Sequence, residues 1–183
     1  MLILIVGPSG AGKDTLMNGA RDALAHNPRV RFVRRIITRP GDMGQEAHES
    51  VTEQAFAIRK QAGDFALTWR AHGMHYGVPA DISMDLAHGR VVVANVSRAV
   101  VAEATARFPV AVIEIAAPAD TLALRLAARG REDAVDVARR LSRSIELRLP
   151  VDRETVMNDG TVEEGVAKLM AAITRASGDA LQS

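Results

Sequence analysis

Gly7, Gly12 and Lys13 belong to the stretch GPSGAGKDT, residues 7–15, which directly follows the apolar run Leu2–Val6. Two glycines at that spacing and a lysine fit G-x-x-x-x-G-K-[ST], a loop whose backbone N–H groups converge on a phosphate. The run Gly7, Pro8, Ser9, Gly10, Ala11, Gly12, Lys13 fits, and the helix expected after it adds the partial positive charge of its N-terminus. A tight turn that merely happens to contain glycines is the plain alternative, and strand, spacing and lysine together weigh against it. One position departs from the pattern. Asp14 stands where a hydroxyl would reach Mg²⁺, and Thr15 comes one residue later. A carboxylate at a helix start suits the dipole and is also a hard oxygen ligand. Two assignments therefore stay open: Asp14 meets the cation, or Asp14 only opens the helix and Thr15 takes that contact.

The elements that must carry this loop fit one domain. The chain has 183 residues, 48% of them apolar and 25% charged, enough for a single packed core. A net charge of +1 gives no global reason to bind nucleic acid or a membrane surface, so any basic site is local. The absence of cysteine removes disulfide and thiolate chemistry and fits a reducing, cytoplasmic setting. No apolar run is long enough to span a bilayer, and the apolar start is too short for a signal h-region.

Leu2–Val6 reads as a strand buried on both faces, and residues 13–25 as a helix with Leu16, Ala20, Ala23 and Leu24 on one side. Residues 31–37 read as a second strand. Residues 35–79 form a polar, glycine-punctuated insertion with a helix over 52–62 and short strands over 64–71 and 74–78. Alternation then resumes: helix 80–88, strand 90–94, helix 99–107, strand 110–115, helices 118–129 and 133–149, strand 151–157 and helix 161–176. Thr161 with Glu164 three residues on is a capping-box signal. The expected fold is α/β: a mostly parallel sheet flanked by helices, with core 1–34 and 80–183, the insertion, and a helical lid near 125–149.

Beyond the loop, the segments ITRP, WRAHGMHYGVP, RLAARGRED, ARRL and VMNDG follow in order. This ordered set resembles guanylate kinases, and more closely their relatives the ribose 1,5-bisphosphate phosphokinases, over about residues 2–176. The resemblance implies a phosphate-loop kinase core with ATP as co-substrate and Mg²⁺ as cofactor. It implies that Lys13 and the loop hold ATP phosphates, with Asp14 or Thr15 and water on the metal. It places Asn158 near adenine, and Arg39 and Tyr76 on the acceptor phosphate. Arg129 and Arg140, eleven positions apart, match lid arginines that close over the transferring group.

The departures from guanylate kinase are informative. Thr68 precedes Trp69, and Asn95 and Ser97 stand where acidic residues would accept from guanine. Buried donors left unpaired cost about 1–3 kcal/mol each, so guanylate is disfavoured. Arg35 stands near the base position, with Arg34, His48, Arg70, His72, His75 and Arg98 around it by sequence. Cations in place of carboxylates suit a second phosphate, as in ribose 1,5-bisphosphate. Arg35, Arg39, Tyr76, His75 and Ser97 are thus the expected acceptor contacts. Period two in a strand lets only one of Arg34 and Arg35 face the site, and Arg35 is the expected inward one. Trp69 reads as a packing anchor, and the basic stretch 125–143 either as a solvated helical face or as the lid. The expected activity makes 5-phosphoribosyl 1-diphosphate, in a monomer or homodimer. A nucleoside monophosphate kinase, a non-catalytic binding module and a kinase for another phosphorylated sugar remain the alternatives.

Overall fold

The computed structural model describes residues 1–39, 48–127 and 152–178. Its centre is β1 (Leu2–Val6), whose five residues are all fully buried. Alternate side chains serve two cores: Leu2, Leu4 and Val6 enter one, Ile3 and Ile5 the other. That two-sided burial is why the strand reads as an unbroken apolar run. Parallel ladders join β1 to β7 (Val91–Asn95) and β8 (Val110–Ala116), and the flanks are β2 (Val30–Phe32) and β9 (Glu154–Met157). The sheet runs β2-β7-β1-β8-β9, every pair parallel. Chain order reverses about β1, so the crevice beyond its carboxyl end is where an open α/β sheet takes ligands.

Helix α1 (Lys13–Ala23) leaves that end and packs with α6 (Val162–Ser177) on one face. Their approach is close: a Cβ on Gly19 would lie 2.5 Å from Val166 Cγ2. Helices α3 (Ile82–Ala87) and α4 (Val101–Arg107) contribute Ile82, Val101 and Ala104 to the other core, and α5 (Ala119–Ala127) follows β8.

A second, four-stranded sheet comes from β3 (Arg35–Ile37), β4 (His48–Ser50), β5 (Phe65–Ala71) and β6 (Met74–Pro79), in the order β4-β3-β6-β5. The β5–β6 hairpin closes through His72 and Gly73, at φ 51° and 74°, two left-handed residues as a two-residue hairpin loop requires. Helix α2 (Glu53–Gln61) is capped by Thr52, whose Oγ1 accepts from Ala55 N at 3.1 Å.

The strand expected over 31–37 is in fact two strands in two sheets. Val33 N still donates to Val93 O at 2.8 Å, and the chain then leaves the first sheet at Arg34 and enters the second at Arg35. Helix α1 buries Leu16, Met17 and Ala20, while Ala23 is exposed, because the helix ends at that residue. The helix expected over 133–149, and most of the lid, lie outside the described residues.

Candidate active site

Two glycines fix the shape of the phosphate loop. Gly7 has φ 147°, and a Cβ there would sit 2.2 Å from the Ile115 carbonyl oxygen. Gly12 has φ 87°, and a Cβ there would sit 2.4 Å from Asn158 Nδ2. No side chain fits either place without moving a neighbour. The loop closes on itself where Ala11 N donates to Pro8 O at 3.3 Å, and Lys13 Nζ donates to the carbonyls of Gly7 and Pro8, each at 2.8 Å. The lysine charge is thereby held against the loop at the start of α1, where the partial positive charge of a helix N-terminus also lies.

Asn158, expected beside adenine, lies buried under the loop, and its Nδ2 donates to Ala11 O at 2.8 Å. That amide therefore shapes the loop. The neighbouring Asp159 binds Lys168 of α6 at 2.9 Å, and this hydrogen bond holds its carboxyl below the usual range. Thr15 is exposed, whereas the Asp14 side chain is 39% exposed. Asn95 Nδ2 donates to Asp14 Oδ1 at 2.8 Å, and Arg35 lies 3.6 Å from the same oxygen.

Arg35 reaches Asp14 from the second sheet. Its side chain is 14% exposed and its guanidinium stands 6.0 Å from the Tyr76 ring centre. Tyr76 in turn stacks on Trp69 at 5.3 Å, and Trp69 packs against the core. Trp69, Tyr76, Arg35 and Asp14 thus form a continuous run from the hairpin to the loop. Arg34, in the break between β2 and β3, is exposed. Thr38, buried beside Arg39, accepts from His75 N at 2.8 Å and donates its own N–H to His75 O at 3.0 Å.

His75 departs from expectation. Its ring stands 5.5 Å from Phe56 of α2, on the face of β6 opposite Tyr76, so the site face does not hold it. Successive strand residues face opposite ways, so with Tyr76 on the site face His75 is turned away. His48, in register with Arg35, is the buried histidine of the site face. Ser97, another expected acceptor contact, uses its Oγ to accept from Ala99 N at 3.3 Å and caps the 3₁₀ turn Arg98–Val100. The Arg98 guanidinium binds one oxygen of buried Glu114, and Arg153 binds the other. His72 and Arg70 are exposed near the hairpin tip. Arg129 and Arg140 lie outside the described residues.

Arg125, read from the sequence only as the start of the basic stretch 125–143, has a contact with the loop that the sequence did not announce. From α5 its Nη1 comes within 3.5 Å of Gly10 O, which sets a second cation against the loop.

No protein-family model matches the chain. Among curated relatives, ribose 1,5-bisphosphate phosphokinase PhnN of Acidiphilium cryptum is 46% identical over 175 residues, covering 95% of this chain and 92% of the relative. The chain belongs to the ribose 1,5-bisphosphate phosphokinase PhnN family. The PhnN protein of Methylobacterium radiotolerans is 47% identical, covering 93% of this chain and 95% of its own length. A bifunctional ribose 1,5-bisphosphokinase-thymidine phosphorylase of Cupriavidus necator is 48% identical over 92% of this chain, which corresponds to 28% of that longer protein. Among solved structures, guanylate kinase from Anaplasma phagocytophilum superposes with a TM-score of 0.69 at 16% identity, covering 94% of this chain and 83% of that one. That likeness establishes that this PhnN family member has the guanylate kinase-like phosphate-loop fold, with its mostly parallel sheet between helices.

Proposed function

We propose that this chain transfers the γ-phosphoryl group of ATP to the C1 phosphate of ribose 1,5-bisphosphate, giving 5-phosphoribosyl 1-diphosphate and ADP. The observation that carries the reading is Arg35. A cation of the second sheet lies 3.6 Å from Asp14 of the phosphate loop, in a chain of the PhnN family, and this supports a second phosphate near the position that a base would take.

A phosphate oxygen on C1 attacks the γ-phosphorus, and the bond from that phosphorus to the β–γ bridging oxygen breaks as ADP leaves. The attacking oxygen is already anionic at neutral pH, so no side chain has to remove a proton. What remains is positioning and the stabilisation of charge spread over the transferring group. Lys13 and the amides of residues 10–14 hold the β- and γ-phosphates. Arg125 adds charge beside them, and Arg39 and Tyr76 hold the acceptor phosphate. Arg129 and Arg140 close over the transferring group and exclude water.

Among the described residues, no three His, Asp, Glu or Cys side chains gather as a metal cage. Mg²⁺ takes one or two protein oxygens and completes its shell with phosphate and water. Asp14, its carboxylate steadied at the loop, is the protein oxygen we assign to Mg²⁺, with exposed Thr15 as the alternative. Mg²⁺ when bound supplies neutralisation of the polyphosphate charge. No described helix is long and apolar enough to cross a membrane. We assign the protein to the cytoplasm, acting on a small phosphorylated sugar as a monomer or homodimer.

The test is ADP release with ribose 1,5-bisphosphate, GMP and other monophosphates as acceptors. We expect turnover with the bisphosphate and little with GMP, and removal of Mg²⁺ should abolish it. Arg35→Ala should raise KM for the bisphosphate by about 10–100-fold, the loss of one charge-assisted pair of about 1.5–3 kcal/mol. Turnover of GMP ahead of the bisphosphate would refute the reading, and no turnover at all would favour a binding module.

A further inference from the structure

Asp14 and Asn95 are 81 positions apart and meet at one hydrogen bond, Asn95 Nδ2 to Asp14 Oδ1, 2.8 Å long. A carboxylate oxygen only accepts, so the nitrogen end of the amide must face it. Asn95 closes β7, a strand buried along its whole length, and pairs with Ile5 of β1 two residues before the phosphate loop. It is itself only 6% exposed. Its backbone is therefore fixed by the sheet, and so is the point from which its amide reaches the loop. Arg35, from the second sheet, lies 3.6 Å from the same oxygen.

The chemistry narrows what position 95 can be. A carboxylate there would set two acceptors at hydrogen-bond distance and repel Asp14. An aliphatic residue would leave that oxygen with no donor from the strand. A neutral amide of this length donates without adding charge. The aspartate in the loop and the asparagine on the strand therefore form a matched pair: the loop tolerates a carboxylate because the strand supplies a donor for it.

We propose that Asn95 is the positioning residue of the metal–nucleotide site, fixing the Asp14 carboxylate in the orientation that serves the cation accompanying ATP. This rests on the assignment of Asp14 to that cation. Arg35, which the acceptor is proposed to meet, shares the same oxygen, so the pair also stands at the junction of the two substrates.

The test has two measurements, neither of which needs the acceptor or turnover. In the metal-free protein, the Asn95 side-chain amide should give a shifted, exchange-protected pair of ¹⁵N-correlated proton signals, and Asp14→Ala should return them toward free-amide values. Calorimetric titration with a non-hydrolysable ATP analogue should then separate metal-dependent from metal-independent binding. Asn95→Ala should weaken binding about 10-fold or more in Mg²⁺, in line with outer partners of metal ligands, and leave it unchanged in EDTA. In an Asp14→Ala background, Asn95→Ala should have no further effect. Asn95→Leu, which keeps the branched shape and removes the donor, should show the same Mg²⁺-specific loss and replaces Asn95→Ala where the smaller side chain upsets folding. Equal losses with and without Mg²⁺, additive losses in the double variant, or an Asp14→Ala protein that keeps its full response to Mg²⁺ would each overturn the proposal. A wrong acceptor assignment changes none of these readouts, so the two failures are distinguishable.

Discussion

At Gly12 two costs of a side chain coincide and can be separated. Its φ of 87° is left-handed, and an added Cβ would press within 2.4 Å of Asn158 Nδ2, the amide that holds Ala11 O. Gly63 has nearly the same φ, 81°, and nothing within 4 Å of its Cβ position. Gly63→Ala should cost only the backbone term, about 1–2 kcal/mol. Gly12→Ala should exceed it by the amide it displaces, about 1–3 kcal/mol more, and should also weaken ATP binding. Urea unfolding of both variants with nucleotide titration reads the difference. Equal losses, with ATP affinity kept, would mean that Asn158 does not hold the loop.

Among the elements, α6 begins with the capping box announced by its sequence. Thr161 Oγ1 accepts from Glu164 N at 3.2 Å and Glu164 Oε2 accepts from Thr161 N at 3.0 Å. Thr161→Ala should cost about 1 kcal/mol in urea unfolding and leave kcat and KM unaltered, since both bonds of the cap stay within the first turn of α6. A kinetic change would show that α6 steers the loop through its packing on α1. Features of this local kind are the ones a sequence carries openly: a buried strand, a glycine loop, a cap, each written in a few adjacent residues. The break at Val33-Arg34 is not so written, because an alternating run does not reveal which sheet each half will pair with. Residues 48–50 are too few to announce β4. Alternation along β6 lets only one of His75 and Tyr76 face the site, whereas the Asp14–Asn95 contact needs two elements 81 residues apart to be placed first. Long-range pairing hid the sheet break and the Asp14–Asn95 contact, while the phosphate loop was legible because its residues are adjacent in the chain.

For the molecule as a whole, the edge of the main sheet depends on one buried carboxylate. Asp85 of α3 is bound by Arg31 of β2 and by Arg90, the latter at 3.0 Å, and Arg31 also binds Asp81 at 2.9 Å. Burial pushes the Asp85 carboxyl up, but the hydrogen bonds and charges of Arg31 and Arg90 outweigh it and hold the group below the usual range. A depressed folded value means the contribution is complete above the unfolded carboxylate value, near 4, and is lost as pH falls through the folded one. Asp85→Asn should therefore cost about 1.5–3 kcal/mol at pH 7, the scale of a charge-assisted hydrogen bond with partners that stay partly solvated. The gap to the native protein should stay level down to pH 5 and narrow below pH 4, as the native carboxylate takes up its proton. Urea midpoints at pH 7, 5 and 3 decide it. A gap that is as wide at pH 3 as at pH 7 would mean the aspartate acts by shape alone, and that α3 is held to the sheet by Ile82 and its apolar neighbours rather than by charge.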